Sequence, residues 1–255
     1  MPCVASLEEL DGAAADFAVT DLSLAIEPSA LAAARRSLEE SGFLLLGEVH
    51  GVRENPLVIC SLMQAFGLTG LALEWPEDLA PVAEAFLAGG RLAEHPLLWS
   101  GDGRITAGHL AVLRERAAAG PLVLTLFDGT MGAGWSWSQH DEAMARRILA
   151  APAADTGTLV VAGNAHTPTI RTGFGMPLGA HLARQRPGLR EIRISYGSGH
   201  YYNIEPRRFR RRVAPGRRQV RLCQRRGSLV LDLPAAREAV VPQRPLPWPS
   251  GPHLG

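Results

Sequence analysis

Hydrophobic positions along the chain gather into five short runs: FLLLGE at 43–48, LALEW at 71–75, LVLTLFD at 122–128, TLVVAGN at 158–164 and EIRISY at 191–196. Most are continuously apolar rather than alternating, which is the pattern of strands covered on both faces. The stretches between them read as helices. SALAAARRSLEES (29–41) predicts a helix capped at Ser29, with Arg35, Arg36, Glu39 and Glu40 on its wet face. NPLVICSLMQAFG has Pro56 near its start and Gly67 at its stop. TAGHLAVLRERAAAG ends at Gly120, and SQHDEAMARRILAA carries early acid and later Arg, as the helix dipole favours. Strand alternating with helix predicts an α/β fold, a mainly parallel sheet flanked by helices with right-handed crossovers.

After Tyr196 the pattern changes. HYYNIEP, RQVRLCQRR and SLVLDL read as short strands, the last two joined by a turn near Gly227. This predicts a small antiparallel C-terminal extension. The chain thus divides into a lead-in (1–27), an α/β domain (28–206), an Arg-rich antiparallel extension of that domain (207–241) and a Pro-rich tail (242–255), the last expected to be extended or disordered.

Composition changes little in this picture. Hydrophobic residues make up 46% and charged residues 20% of the 255, an ordinary globular mixture. No apolar stretch approaches the roughly 18 residues of a membrane span, and the N-terminus has no basic region ahead of its acids, so a cytoplasmic protein without a membrane partner is expected. Cys3, Cys60 and Cys223 are too scattered for a zinc or redox motif and are read as free thiols. All 26 basic residues are Arg, and ten of them lie in the acid-free block from Arg207 to Arg226. That block is the only hint of a nucleic-acid partner. Val220 and Leu222 alternate with polar neighbours inside it, so a solvated edge strand is the preferred reading and nucleic acid is not expected.

Chemistry collects where the apolar runs stop. The first delivers Glu48 and His50, the second Glu74, the third Asp128, the fourth Asn164 and His166, and the fifth leads through Ser195 and Tyr196 to His200. In an open parallel sheet these ends share one edge, where ligands bind. Taken singly, each has a structural explanation: Glu74 as a solvated strand end, His166 as a satisfied turn histidine, Asp128 as a turn former. Their recurrence at five strand ends favours one site. His95, His109 and His181 stand in helix or loop contexts that call for no function. The glycine-rich stretches 128–135 and 171–179 lack nucleotide-binding spacing and are read as loops lining the site, with Trp135 and Trp137 as an apolar wall or as packing. Closure of 99–108, 129–137 and 171–177 would set the pocket size.

LGEVHGVRE, LALEWP, SQHDEAMARRI and VVAGNAHT, in that order, resemble the superfamily of erythromycin-esterase-like and ChaN-like proteins, which also takes in the Tiki proteases. The resemblance runs from about residue 40 to about 200. It departs from the esterases where Glu48 and His50 are separated by one residue rather than two, and where His140 stands in place of an Arg ahead of Asp141. The resemblance implies an α/β fold and a hydrolase of the ester or lactone class acting on a small-molecule substrate. Its water would be activated by His50, with Glu48 and Glu74 as carboxylates and His166 as second histidine. A neutral imidazole accepts a proton from water near pH 7, and a carboxylate fixes its tautomer. His166, Arg53 or a loop amide would hold the oxyanion. Arg53, Glu54, Asp128, Asn164, Trp135, His200 and Tyr201 complete the expected substrate contacts. No G-x-S-x-G elbow is present, which argues against a serine hydrolase.

Three alternatives share these residues. Glu48, His50, Glu74 and His166 are suitable ligand types for a divalent Fe, Mn or Zn ion, as in the Tiki branch. The ChaN branch implies haem binding without turnover, with His50, His166 or His200 as axial ligand. Lyase or dehydratase chemistry would use the same acid–base groups.

Overall fold

The computed structural model describes residues 3–129, 133–210 and 219–244. Its α/β architecture and mainly parallel sheet are those expected. The strands are β1 (Cys3–Val4), β2 (Ala25–Ile26), β3 (Phe43–Glu48), β4 (Gly70–Pro76), β5 (Val123–Asp128), β6 (Thr158–Gly163), β7 (Glu191–Asn203), β8 (Glu205–Arg210), β9 (Arg221–Arg225), β10 (Ser228–Ala236) and β11 (Val241–Pro242). The helices are α1 (Leu7–Ala15), α2 (Pro28–Ser41), α3 (Asn55–Phe66), α4 (Ala80–Leu87), α5 (Ala107–Ala119), α6 (Trp137–Ala150) and α7 (Leu178–Gln185). The main sheet runs β2-β9-β10-β7-β3-β6-β4-β5, with β8 paired antiparallel to β7 beyond the ladder that β7 makes with β3. Strands β3 to β7 and β10 are mutually parallel along this path, and β9 is antiparallel to β10.

The unbroken apolar runs have a direct cause. In β3, Leu44 and Leu46 belong to the core packed by α2, α3, α4 and α5, whereas Leu45 belongs to a second core against α6 and α7. Leu159 and Val161 of β6 likewise face the first core, and Val160 and Ala162 the second. Every position of such a strand is buried, so no polar alternation can appear.

Several expectations are revised. α2 begins at Pro28 with Glu27 as its cap residue, so Ser29 lies within the first turn rather than at the cap. The lead-in holds α1, closed by the reciprocal Ser6–Glu9 capping box and packed on α5. β7 continues seven residues past Tyr196 because its end forms a hairpin with β8, which includes the expected HYYNIEP strand. β9 is not at the edge, since β2 pairs with it in parallel through Ala25–Arg221 and Ile26–Leu222. The turn from β9 to β10 falls at Arg226–Gly227, both with positive φ, as a tight hairpin requires. The start of the Pro-rich segment is held in the fold, with β11 paired to β1. The expectations for 211–218 of the Arg block, 245–255 of the tail and 130–132 of the 129–137 loop lie outside the described residues. Among the described residues no helix is long and apolar enough to cross a membrane, and the three cysteines are free.

Candidate active site

The carboxyl ends of β3, β4, β5 and β6 bring Glu48, Glu74, Asp128 and His166 to one edge of the sheet, with His50 two residues beyond Glu48. Glu48 and Glu74 are almost wholly buried, 3% and 7% exposed, and His166 is equally covered at 7%. His50 receives its orientation from its loop. Val49 N–H donates to Tyr196 Oη at 2.9 Å, Tyr196 Oη donates to Asn55 Oδ1 at 2.9 Å, and Asn55 Nδ2 donates to Val49 O at 2.8 Å. Gly51 then bonds Gly103 O through its N–H and accepts from Tyr202 and Ala239 through its carbonyl.

Two histidine–carboxylate pairs face each other across Glu74. His50 Nδ1 lies 3.1 Å from Glu48 Oε1, and His166 Nδ1 lies 2.6 Å from Asp141 Oδ1. The Nε2 atoms of His50 and His166 stand 3.8 and 3.7 Å from the same atom, Glu74 Oε1. Arg104 Nη1 approaches that oxygen to 3.9 Å. Glu74 Oε2 is fixed by the Gly163 N–H at 2.6 Å, so Oε1 is presented to the three nitrogens. These separations are too long for direct hydrogen bonds. A water about 2.8 Å from two such atoms would complete the triangle.

The charges follow from this packing. Burial opposes the charge on His50, but the two carboxylates outweigh it and push its value from 6.5 up to about 10. Burial likewise works against ionised Glu74, yet His50, His166 and Arg104 hold it down at about 2. Glu48 moves the other way: burial dominates and raises it, and its Oε2 is buried without a hydrogen-bond partner. His166 is raised despite burial by Asp141 and Glu74, while the charge of His50 pulls it back down. These surroundings favour the protonated form of His50 and, at Glu48, the neutral carboxyl.

Of the other expected residues, Asp128 belongs to the site. It contacts Arg104 and lies 2.9 Å from His140 Nε2. Trp135 is 36% exposed on the loop before α6. Arg53 is not in the cleft: its guanidinium lies 5.1 Å over the Phe17 ring, and its backbone N–H donates to Arg237 O. Glu54 is buried and accepts from Arg237 N and Nε at 2.9 and 2.7 Å, an anchor for the C-terminal segment. Asn164 extends the β3–β6 ladder through its N–H to Glu48 O, with an exposed side chain. His200 is exposed on β7, and Tyr201 packs on Phe209. Neither lines the cleft, because β7 continues past Tyr196 as an arm of the β7–β8 hairpin.

Four further residues complete the arrangement. Asp141 is fully buried and also accepts from Leu178 N–H at 2.9 Å. Its signal was present: with Met144, Ala145 and Ile148 it lies on the buried stripe of α6, where an acid demands a partner. Arg104 comes from a loop without periodicity; Asp102 grips its Nε and Nη2, each at 2.8 Å. Trp137 lies flat on His166, ring centroids 4.4 Å apart and planes 11° apart. His109, with no expected role, lines the cleft beneath Trp75. Burial and the nearby His50 charge hold it neutral, at about 3, and Nδ1 is bonded to Thr106 Oγ1 at 2.9 Å.

Among the described residues no group of three or more His, Cys, Asp or Glu side chains is disposed to hold a metal ion. Both Nδ1 atoms and Glu74 Oε2 are committed within the protein, which leaves both Nε2 atoms and Glu74 Oε1 facing one another as the available donor atoms. The cleft bounded by Glu48, His50, Glu74, Arg104 and His109 has a cavity volume of about 10 Å³.

No family model matches the chain, and no curated protein does. Among solved structures it is similar to a protein from Bacillus cereus, at 11% identity and a TM-score of 0.52, over 94% of this chain and all of that one. Weaker likenesses are to bacterial protein toxins (21% identity, TM-score 0.42, 74% of this chain) and to the type III effector HopBA1 (16% identity, TM-score 0.45, 77% of this chain and 88% of that one). The chain spans 39% of the length of the toxin chain it matches. The likeness to the Bacillus cereus protein is one of fold, and the other two carry no functional argument.

Proposed function

We propose that this chain is a hydrolase of small-molecule esters or lactones, with His166 as general base and His50 as general acid. One observation supports the reading above others: two imidazoles, each pinned at Nδ1 by a buried carboxylate, direct Nε2 at a single oxygen of Glu74. Such pinning fixes the tautomer and leaves Nε2 for proton transfer. Like charges disfavour two imidazoliums side by side. Each ring lies between two carboxylates, so one proton is held more firmly than the other. We assign the held proton to His50, pushed up to about 10, and the base to His166, which the charge of His50 pulls down. The class of bond, ester or lactone, comes from the resemblance to the erythromycin-esterase-like superfamily.

The atoms balance as follows. Water held at Glu74 attacks the carbonyl carbon and loses a proton to His166 Nε2. Charge developing on the carbonyl oxygen faces Arg104 and His50, taking the part expected of Arg53. As the carbon–oxygen bond breaks, His50 Nε2–H protonates the leaving alkoxide, giving acid and alcohol. Proton exchange with solvent restores both histidines.

The test is turnover of a panel of p-nitrophenyl esters and five- and six-membered lactones by the wild type, His50→Ala and His166→Ala. Each variant should lose about 10²–10⁴-fold in kcat/KM, the usual contribution of a placed acid or base. A wild type inert toward the whole panel, or variants as active as the wild type, would sink the proposal.

A further inference from the structure

The cleft at Glu74 is small, a cavity of about 10 Å³ that holds on the order of one water. The remainder of a substrate must lie on the surface around the mouth. On the His166 side that surface is apolar. Of the six large hydrophobic side chains exposed among the described residues, four stand on two segments beside His166: Trp135 and Trp137 at the start of α6, at 36% and 41% exposure, and Ile170 and Phe174 on the loop after β6, at 74% and 78%. The segments are fastened together, since Met176 N–H donates to Ser138 Oγ at 2.6 Å. Phe174 is two residues from Met176, and Trp137 is next to Ser138. Two residue steps span at most about 7 Å, so Phe174 stands close beside the start of α6. Exposed rings at this density on neighbouring segments mark a binding surface more often than chance scatter.

We infer that the substrate is an amphiphile whose alkyl or acyl chain lies along Trp137 and Phe174, with its hydrolysable carbonyl at Glu74. The inference rests on the hydrolase reading and names its substrate class. Continuity favours a substrate chain over a docked protein: Trp137 is both part of the rim and the ring lying on His166, so a chain following the rim ends at the reacting atoms. Ile170 and Phe174 are not used by the fold, and replacing them leaves the core untouched.

The experiment compares kcat/KM for p-nitrophenyl decanoate and p-nitrophenyl butyrate, below their aggregation concentrations, in the wild type and in the double variant Ile170→Ser/Phe174→Ser. Quenching of tryptophan fluorescence by decanoate is measured beside it. The wild type should prefer the long ester, and the double variant should lose about 10-fold or more of that preference, on the order of what burial of one large side chain supplies. Decanoate should quench the wild type and not the variant. A wild type without chain-length preference, or a preference that survives in the double variant, would overturn the inference. So would rim-dependent binding to phosphatidylcholine vesicles without chain-length preference, or a rim-dependent dimer in sedimentation velocity; these would assign the surface to a membrane or to a second copy. If neither ester is hydrolysed, the hydrolase reading fails by itself. The fluorescence arm then decides the rim: quenching confined to the wild type keeps an alkyl-chain site, and its absence removes it.

Discussion

His50 and His166 are chemically the same residue, and their neighbours give them different work. Glu74 stands between the two rings; Glu48 holds the far nitrogen of one, and Asp141 with the face of Trp137 holds the other. If His166 is the base and His50 the acid, kcat/KM rises with pH through a value above 6.5, as His166 loses its proton, and falls again near 10, as His50 does. A rate that falls from pH 7 upward would contradict these roles. Asp141→Asn tests the pinning of His166. Asn can still accept from Leu178 N–H through its carbonyl oxygen, but it then turns an NH₂ toward His166 Nδ1. That favours the tautomer with its proton on Nε2, which blocks the base. The expected result is a loss of about 10²-fold or more in kcat/KM with an unchanged circular dichroism spectrum. Activity within a few-fold of wild type would remove Asp141 from the mechanism.

At the scale of elements, the loop after β3 decides where His50 stands. Gly51 has φ of +74°, and a Cβ there would meet Tyr202 O at 1.5 Å, an overlap that only backbone movement can relieve. Gly42, at the end of α2, has φ of +79° and nothing within 4 Å of the same added atom. Alanine at Gly42 therefore incurs only the left-handed strain of about 1–2 kcal/mol, read as a lower midpoint in urea with activity retained. Alanine at Gly51 should destabilise by more than that and also displace His50, so stability and turnover fall together. Equal losses at the two glycines would mean that the 51–103–202–239 contacts do not hold the loop. The strands that carry the site were legible because burial on both faces leaves no polar position within them. Asp141 was legible too, as an acid on the apolar stripe of α6.

For the whole molecule, the charges gathered at one sheet edge tie stability to pH. His50 has a raised folded value, so its contribution is complete below 6.5 and is lost as pH climbs toward about 10. Glu74 has a depressed value, and its contribution is present above 4.5 and lost as pH falls toward about 2. Glu48, raised by burial, loses its contribution as pH climbs above 4.5, while His109, held at about 3, gains as pH rises to 6.5. These two oppose each other between 4.5 and 6.5, so Tm should decline below 4.5 and above 6.5. Glu74→Gln should flatten the acid side of that curve. A variant as acid-sensitive as the wild type would show that the acid transition is set elsewhere. The same convergence explains why the resting charge of His50 was not legible in the sequence. Glu74 lies 24 residues beyond it, and a charge state depends on what stands within a few ångströms in space.

By itself, the amino-acid sequence determined the class of fold, the order of the five central strands along the chain and the edge at which Glu48, His50, Glu74, Asp128 and His166 collect. Hydrophobic periodicity reports burial, and strand ends in a parallel sheet share an edge. Only the tertiary structure decided which partner each of these groups has. Arg104 arrives on a loop with no periodic signal, while Arg53, adjacent in sequence to the histidine loop, turns away to Phe17. His200 and Tyr201 are carried off on a hairpin arm. Proximity in sequence sets where a side chain starts, and loop packing from four distant segments sets where it ends.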